Sequence, residues 1–315
     1  MENTQNLKKR LKSVANINKI TKAMELVAAT KMRRSQEIAL ASRPYAFAAL
    51  DLLANVSLLR KKELPELMAQ RKVRKVLFVL IASDKGLAGS FNSAVFKKFE
   101  QHMARDAQKY TAEEKIYLAV GEKSFQYLSK KGVNVVKKFV QVGDQTSPEQ
   151  VAPLTDFIVK GYLEKKWDRV IVFSTHFRSA LKQEPHVRRV LPVDFDHIKA
   201  IVEEIVPTTG RFAEMAKEQN LSFIPNKNND QGYLIEPSAI KVLNDLVKHL
   251  FFMQVYHLIL EANASEHAAR RMAMKTASDN ASDLGQALNL QYNKSRQGAI
   301  TSQIIEIVAG AESLN

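Results

Sequence analysis

Residues 83–92 (SDKGLAGSFN) hold the most suggestive chemistry in the chain. They follow an apolar run and precede a helical pattern, which is where a Rossmann-type fold receives phosphates on backbone N–H groups. The spacing is not G-x-G-x-x-G, and no G-K-[ST] occurs. Gly86 and Gly89 therefore read as a tight strand-to-helix turn, with phosphate binding as the alternative. The seven histidines are scattered, and none falls at an H-E-x-x-H or comparable ligand spacing. His249 and His257 lie on helix faces and read as packing or solvated side chains. His176 ends a strand pattern without a nucleophile elbow. No pair of carboxylates is spaced for acid–base work. The expectation is a chain with no catalytic, cofactor or metal site of its own.

Composition narrows the partners. The 315 residues carry a formal net charge of +14, which suits nucleic acid, an anionic membrane surface or acidic protein surfaces. Cysteine is absent, so disulfides, thiolate zinc sites and thiol nucleophiles are excluded. The first dozen residues are polar and basic, unlike a secretory signal. The apolar stretch at 250–262 is interrupted by Gln254 and His257 and falls short of the roughly 20 residues a bilayer span needs. The expectation is a soluble, cytoplasmic chain.

The elements that would position these groups divide by period. Residues 76–82 (VLFVLIA) form a continuous apolar run, as in a strand buried on both faces. Similar runs lie at 116–120, 133–139 and 170–174, with a weaker one at 187–193. Helical patterns at 91–108, 123–131 and 148–165 separate them. This alternation predicts a Rossmann-like α/β domain over 73–194 with a mostly parallel sheet. Residues 195–236 read as an irregular connection, with a short helix near 210–220.

The flanks follow another rule. Residues 1–60 contain no glycine and one proline, Pro44, where a kink or brief break is expected. Leu7, Leu11, Val14, Ile17, Thr21, Met24 and Ala28 recur at three- and four-residue steps, the seam of a coiled coil. Lys and Arg crowd the same segment. Residues 237–315 repeat the pattern, with Pro237 expected in the first helical turn and a seam from Leu243 to Ala264. About seventy residues at 1.5 Å each give a helix on the order of 100 Å long. Two such helices flanking one α/β domain must run antiparallel if they pair: a long antiparallel coiled coil with a foot. Residues 262–287 are rich in small side chains, whereas 299–308 (AITSQIIEIV) are apolar enough to predict burial in a partner, or against the chain's own first helix. On charge alone, a basic coiled-coil protein that binds nucleic acid is the alternative; the lack of aromatics at 1–43 weakens a base-stacking role.

Several blocks resemble a known family. Residues 20–29 (ITKAMELVAA) and 42–45 (SRPY) look like the N-terminal signature of F-type ATP synthase gamma subunits. Residues 265–274 (SEHAARRMAM), 279–281 (DNA), 292–297 (YNKSRQ) and 300–311 (ITSQIIEIVAGA) resemble its C-terminal block, and 83–89 (SDKGLAG) its T-S-D-R-G-L-C-G loop. The resemblance implies a non-catalytic rotor shaft that couples c-ring rotation to the beta subunits. It would stand inside the alpha–beta hexamer, with the foot meeting the epsilon subunit and c-ring. It further implies that Arg296 and Gln297 contact a beta-subunit loop with Thr301 nearby, and that Met24 lies near the moving beta C-terminal domain. Neither a cofactor nor nucleic acid is implied, and membrane contact comes only through the complex. Gly298 departs from the family's usual Ala or Ser. The regulatory cysteine pair of plastid members is absent, as is a transit peptide, so the expected setting is the cytoplasmic face of a bacterial inner membrane.

Overall fold

The computed structural model describes residues 4–41, 65–106, 114–142, 146–194 and 236–312. Pro44, the resumed pattern after it, the start of the 61–72 linker at 61–64 and the 195–235 connection lie outside these residues. The described elements are α1 (Thr4–Ala41), β1 (Lys75–Ile81), α2 (Phe91–Arg105), β2 (Glu114–Val120), α3 (Glu122–Lys130), β3 (Val135–Phe139), α4 (Pro148–Leu163), β4 (Arg169–Phe177), β5 (Gln183–Leu191) and α5 (Ala239–Glu312).

The chain forms two compact units, 1–28 with 270–315, and 29–269. The larger is a five-stranded sheet of order β3-β2-β1-β4-β5. Four strands are parallel, and β5 runs antiparallel to β4. Between those two, residues 178–182 are too few for a crossover helix, so only a hairpin can close. The backbone of Arg178 and Ser179 pairs with Lys182 to make that turn.

Because successive strand residues face opposite ways, β1 supplies two cores. Leu77, Val79 and Ile81 point into a layer completed by Leu154, Ile158, Tyr162 and, from α5, Val247 to Ala262. Val76, Phe78 and Leu80 point into the other, with Val95 and Phe99 of α2 and Leu128 of α3. Phe99 meets Phe173 edge-on at 5.0 Å, a favoured aromatic geometry. Pro148 stands in the first turn of α4, and the Ser147 N–H donates to Gln150 Oε1 at 3.3 Å, half of a capping box. On α5, residues 251–268 are buried nearly all round, which is why their pattern is apolar rather than striped.

In the smaller unit the two long helices run antiparallel: Asn18 sits beside Ser278, and Val14 beside Gly285. Besides the half-buried Thr4 and Met24, the buried and half-buried positions along residues 4–28 of α1 are 7, 11, 14, 18, 21, 25 and 28. That is an unbroken four–three alternation, and it corrects the expected seam. Ile17 is 48% exposed. Asn18 takes its place, donating from Nδ2 to the Ser278 carbonyl at 2.7 Å. Glu25 is buried, whereas its neighbour Met24 is half-buried. Met274, Ser278, Ala281 and Leu288 are buried on the opposite helix, with Gly285 half-buried between them. The short side chains among them, Ser278 and Ala281, together with Gly285, leave room for the polar residues of α1. Pro237 also differs from expectation: α5 begins at Ala239, and Ser238 accepts the first helical bond from Val242 N–H.

Candidate functional site

The loop after β1 is built around Asp84. Its Oδ1 accepts the Glu122 N–H at 3.0 Å, and its Oδ2 accepts the Gln141 N–H at 2.8 Å. One carboxylate thus ties together the segments that follow β1, β2 and β3. Ser83 and Asn92 lock the base: Asn92 Oδ1 accepts the Ser83 N–H at 3.0 Å, and Asn92 Nδ2 donates to Ser83 Oγ at 2.7 Å. The Ser83 carbonyl accepts from the Lys123 N–H. Gly121 passes so close that a Cβ would stand 2.0 Å from the Ala82 oxygen, and its φ of +91° is in the left-handed region. Ligands of open α/β sheets bind outside the carboxyl ends of the strands. Here a carboxylate occupies that edge, already bonded, and it repels phosphate. Of the two glycines in the loop, Gly89 adopts a positive φ of 55° and Gly86 does not. Leu87, at φ 64°, is the exposed tip.

The side chains singled out near the C-terminus share one stretch of α5. Arg296, Gln297 and Thr301 are all exposed, and Thr301 Oγ1 donates to the Gln297 carbonyl at 2.9 Å. Just beyond them Ile300, Ile304, Ile305, Ile307 and Val308 are 46–72% exposed. This rules out packing of the tip on α1 and leaves five large aliphatic side chains in water. Met24 of α1 is half-buried in the same unit.

Sequence reasoning missed a buried polar layer in the larger unit. His176 Nδ1 lies 2.9 Å from Glu261 Oε2, with both side chains almost fully buried. His186 stacks on His176 at 5.2 Å. Tyr256 Oη donates to the Thr146 carbonyl at 3.0 Å, and Asn263 Nδ2 donates to the carbonyl of Val142 at 3.2 Å. These bonds anchor α5 to β4 and to the segment between β3 and α4. The signal lay in the polar residues that interrupt the apolar run of α5, but their partners are 85 to 121 positions away. Among the described residues, no group of three or more His, Asp or Glu is placed to hold a metal ion. No described helix is long and apolar enough to cross a membrane.

Comparison with known proteins decides the family. The profile described as ATP synthase matches residues 3–314. The chain is 36% identical to the ATP synthase gamma chain of Synechococcus sp. (strain JA-2-3B'a(2-13)), with all of both chains covered. It belongs to the ATP synthase gamma chain family. The gamma chain of Polynucleobacter asymbioticus is 34% identical, again over the whole of both. Among solved structures, a chain of the Euglena gracilis mitochondrial ATP synthase superposes with a TM-score of 0.59 at 17% identity, covering 99% of this chain and 94% of that one. One from the central stalk and c-ring assembly of the Tetrahymena thermophila enzyme gives 0.56 at 24% identity, covering 82% and 99%. At those identities the likeness is one of fold. The family is thus the one that the terminal blocks resemble.

Proposed function

We propose that this chain is the central rotor shaft of an F-type ATP synthase, without catalytic activity of its own. Ion flow turns the c-ring, the α/β foot at 73–194 turns with it, and the paired helices drive the beta subunits through successive conformations. The observation that carries the reading is the tip of α5. Five exposed aliphatic side chains next to the exposed Arg296 and Gln297 suit a shaft end seated in a largely apolar sleeve. Arg296 can make charge-assisted, forked hydrogen bonds to a carboxylate of a beta-subunit loop, with Gln297 and Thr301 beside it. Met24 would meet the moving beta C-terminal domain. Alpha and beta subunits, an epsilon subunit and the c-ring are the partners this role requires. The bacterial relatives favour the cytoplasmic face of an inner membrane. The nucleic-acid alternative gains no support from any of these comparisons.

The basic residues of α1 have a part in the same role. Lys8 to Arg34 carry a surplus of positive charge, and an acidic stator wall would attract it at long range without fixed docking. The test is ATP hydrolysis by alpha and beta subunits with and without this chain, and by the chain alone. Stimulated turnover in a complex holding one copy per hexamer is the expected result. Turnover by the isolated chain, or no complex, refutes the reading.

A further inference from the structure

A cleft lies between α2 and the β4–β5 hairpin, away from the residues that the rotor reading names. Its inner end is a cavity of about 250 Å³ walled by Arg105, Arg169 and Arg189, with His102 and Asp106 beside them and an apolar floor of Ile171 and Val187. His102, Arg105 and Val187 also line a wider trough of about 920 Å³, whose rim carries Lys97, Lys98 and His186. The three arginines come from three elements: the last residue of α2, the first of β4, and the third from the end of β5. The tertiary fold gathers these cations, against their mutual repulsion.

Among the described residues, the carboxylates paired with these cations are Asp106 and Asp194. Arg105 Nη2 donates to Asp106 Oδ2 at 3.1 Å, and His102 Nδ1 lies 3.3 Å from the same oxygen. Arg189 Nη2 donates to Asp194 Oδ2 at 3.1 Å. The C-terminal dipole of α2 explains cations at His102 and Arg105, but not at Arg169 and Arg189. Glu184, at the rim, is claimed by Lys182 at 2.7 Å and Arg178 at 3.2 Å, which hold its carboxyl down at about 2. What remains is a pair of orphan donors: the Nε atoms of Arg169 and Arg189 are buried and have no hydrogen-bond partner among the described residues. A buried donor left unpaired is costly, and a guanidinium fork fits the oxygens of a phosphate.

We infer that this cleft binds a phosphate group, held by Arg105, Arg169 and Arg189, with Lys97 and Lys98 placed for a second phosphate or its substituent. The group is carried either by a soluble polyphosphate or by an anionic phospholipid. The full chain is tested by equilibrium dialysis with pyrophosphate and by flotation with phosphatidylglycerol vesicles, phosphatidylcholine vesicles being the control. Arg169→Gln and Arg105→Gln are compared with Lys241→Gln, a charge-matched change at the start of α5. The Arg105 side chain is 74% exposed, so its variant folds whether or not the Arg169 variant does. The expected result is saturable one-site binding, weakened at least tenfold by either arginine change and unaltered by Lys241→Gln. Dialysis binding without flotation assigns a soluble ligand; flotation lost with the same arginines assigns a lipid. Absence of saturable binding to both probes overturns the site. So does binding that all three variants weaken equally, since that reflects net charge alone.

Discussion

Replacing His257 with glutamine should remove a large part of the acid sensitivity of the α/β unit. The imidazole is 1% exposed, and burial pushes its pKa from 6.5 down to about 4. The folded state therefore holds it neutral, while the unfolded chain takes up a proton near the ordinary value. Below pH 6.5 the unfolded state binds a proton that the folded state does not, so stability falls with falling pH until about pH 4. The full displacement corresponds to roughly 3 kcal/mol, of which about 2 kcal/mol is lost between pH 7 and pH 5. Urea unfolding followed by tryptophan fluorescence can measure it. Trp167 is the single tryptophan and lies buried in the same core as the α5 residues flanking His257. Comparing the pH 7 to pH 5 loss in the two proteins cancels every other titrating group to first order. The original chain should lose about 2 kcal/mol more than His257→Gln over that interval. Equal losses would mean that the imidazole is charged or hydrated in the folded state, and would refute the reasoning.

Further outcomes follow from single contacts. Gly161→Ala places a Cβ 2.1 Å from the buried Trp167 ring, so overpacking of about 1–3 kcal/mol should outweigh the ~1 kcal/mol gain in helix propensity and lower the urea midpoint. Asp84→Ala leaves the Glu122 and Gln141 N–H groups without their acceptor; a loss of about 2 kcal/mol is expected, with faster amide exchange at both positions. Arg296→Ala should cut coupled ATP turnover roughly tenfold in the assembled complex while leaving the melting of the isolated chain unchanged, because the side chain is exposed; an unaltered rate removes the proposed beta contact. Changing the Lys and Arg residues of 8–34 to Gln should reduce coupling most at low salt, and a salt-independent loss would argue against long-range attraction.

Much of the architecture is visible in local pattern. The run at 76–82 announces β1 because a strand covered on both faces has no polar side to show. The expected helix at 148–165 nearly coincides with α4, since Ser147 and Pro148 mark its start chemically. The α1 seam was harder to place. Its heptad passes through Asn18 and Glu25, and a reading that follows apolar residues steps aside to Ile17 and Met24 instead. Only the helix opposite, with Ser278 offering a carbonyl, makes the polar choice favourable. The proposed contacts of Arg296, Gln297 and Thr301 rest on resemblance, because exposed side chains on a helix leave no periodic signal.

The sequence by itself determined the order and type of the elements, the two long terminal helices and the family. Each of these is written in periods of two or near 3.6 residues, or in contiguous blocks. Tertiary structure alone decided that β5 turns antiparallel, that Asp84 closes the sheet edge, that His176 meets Glu261, and that three arginines converge on one cleft. The reason is physical: periodicity reports which face of an element is buried, whereas hydrogen bonds and charge clusters depend on which distant side chain the fold sets against that face.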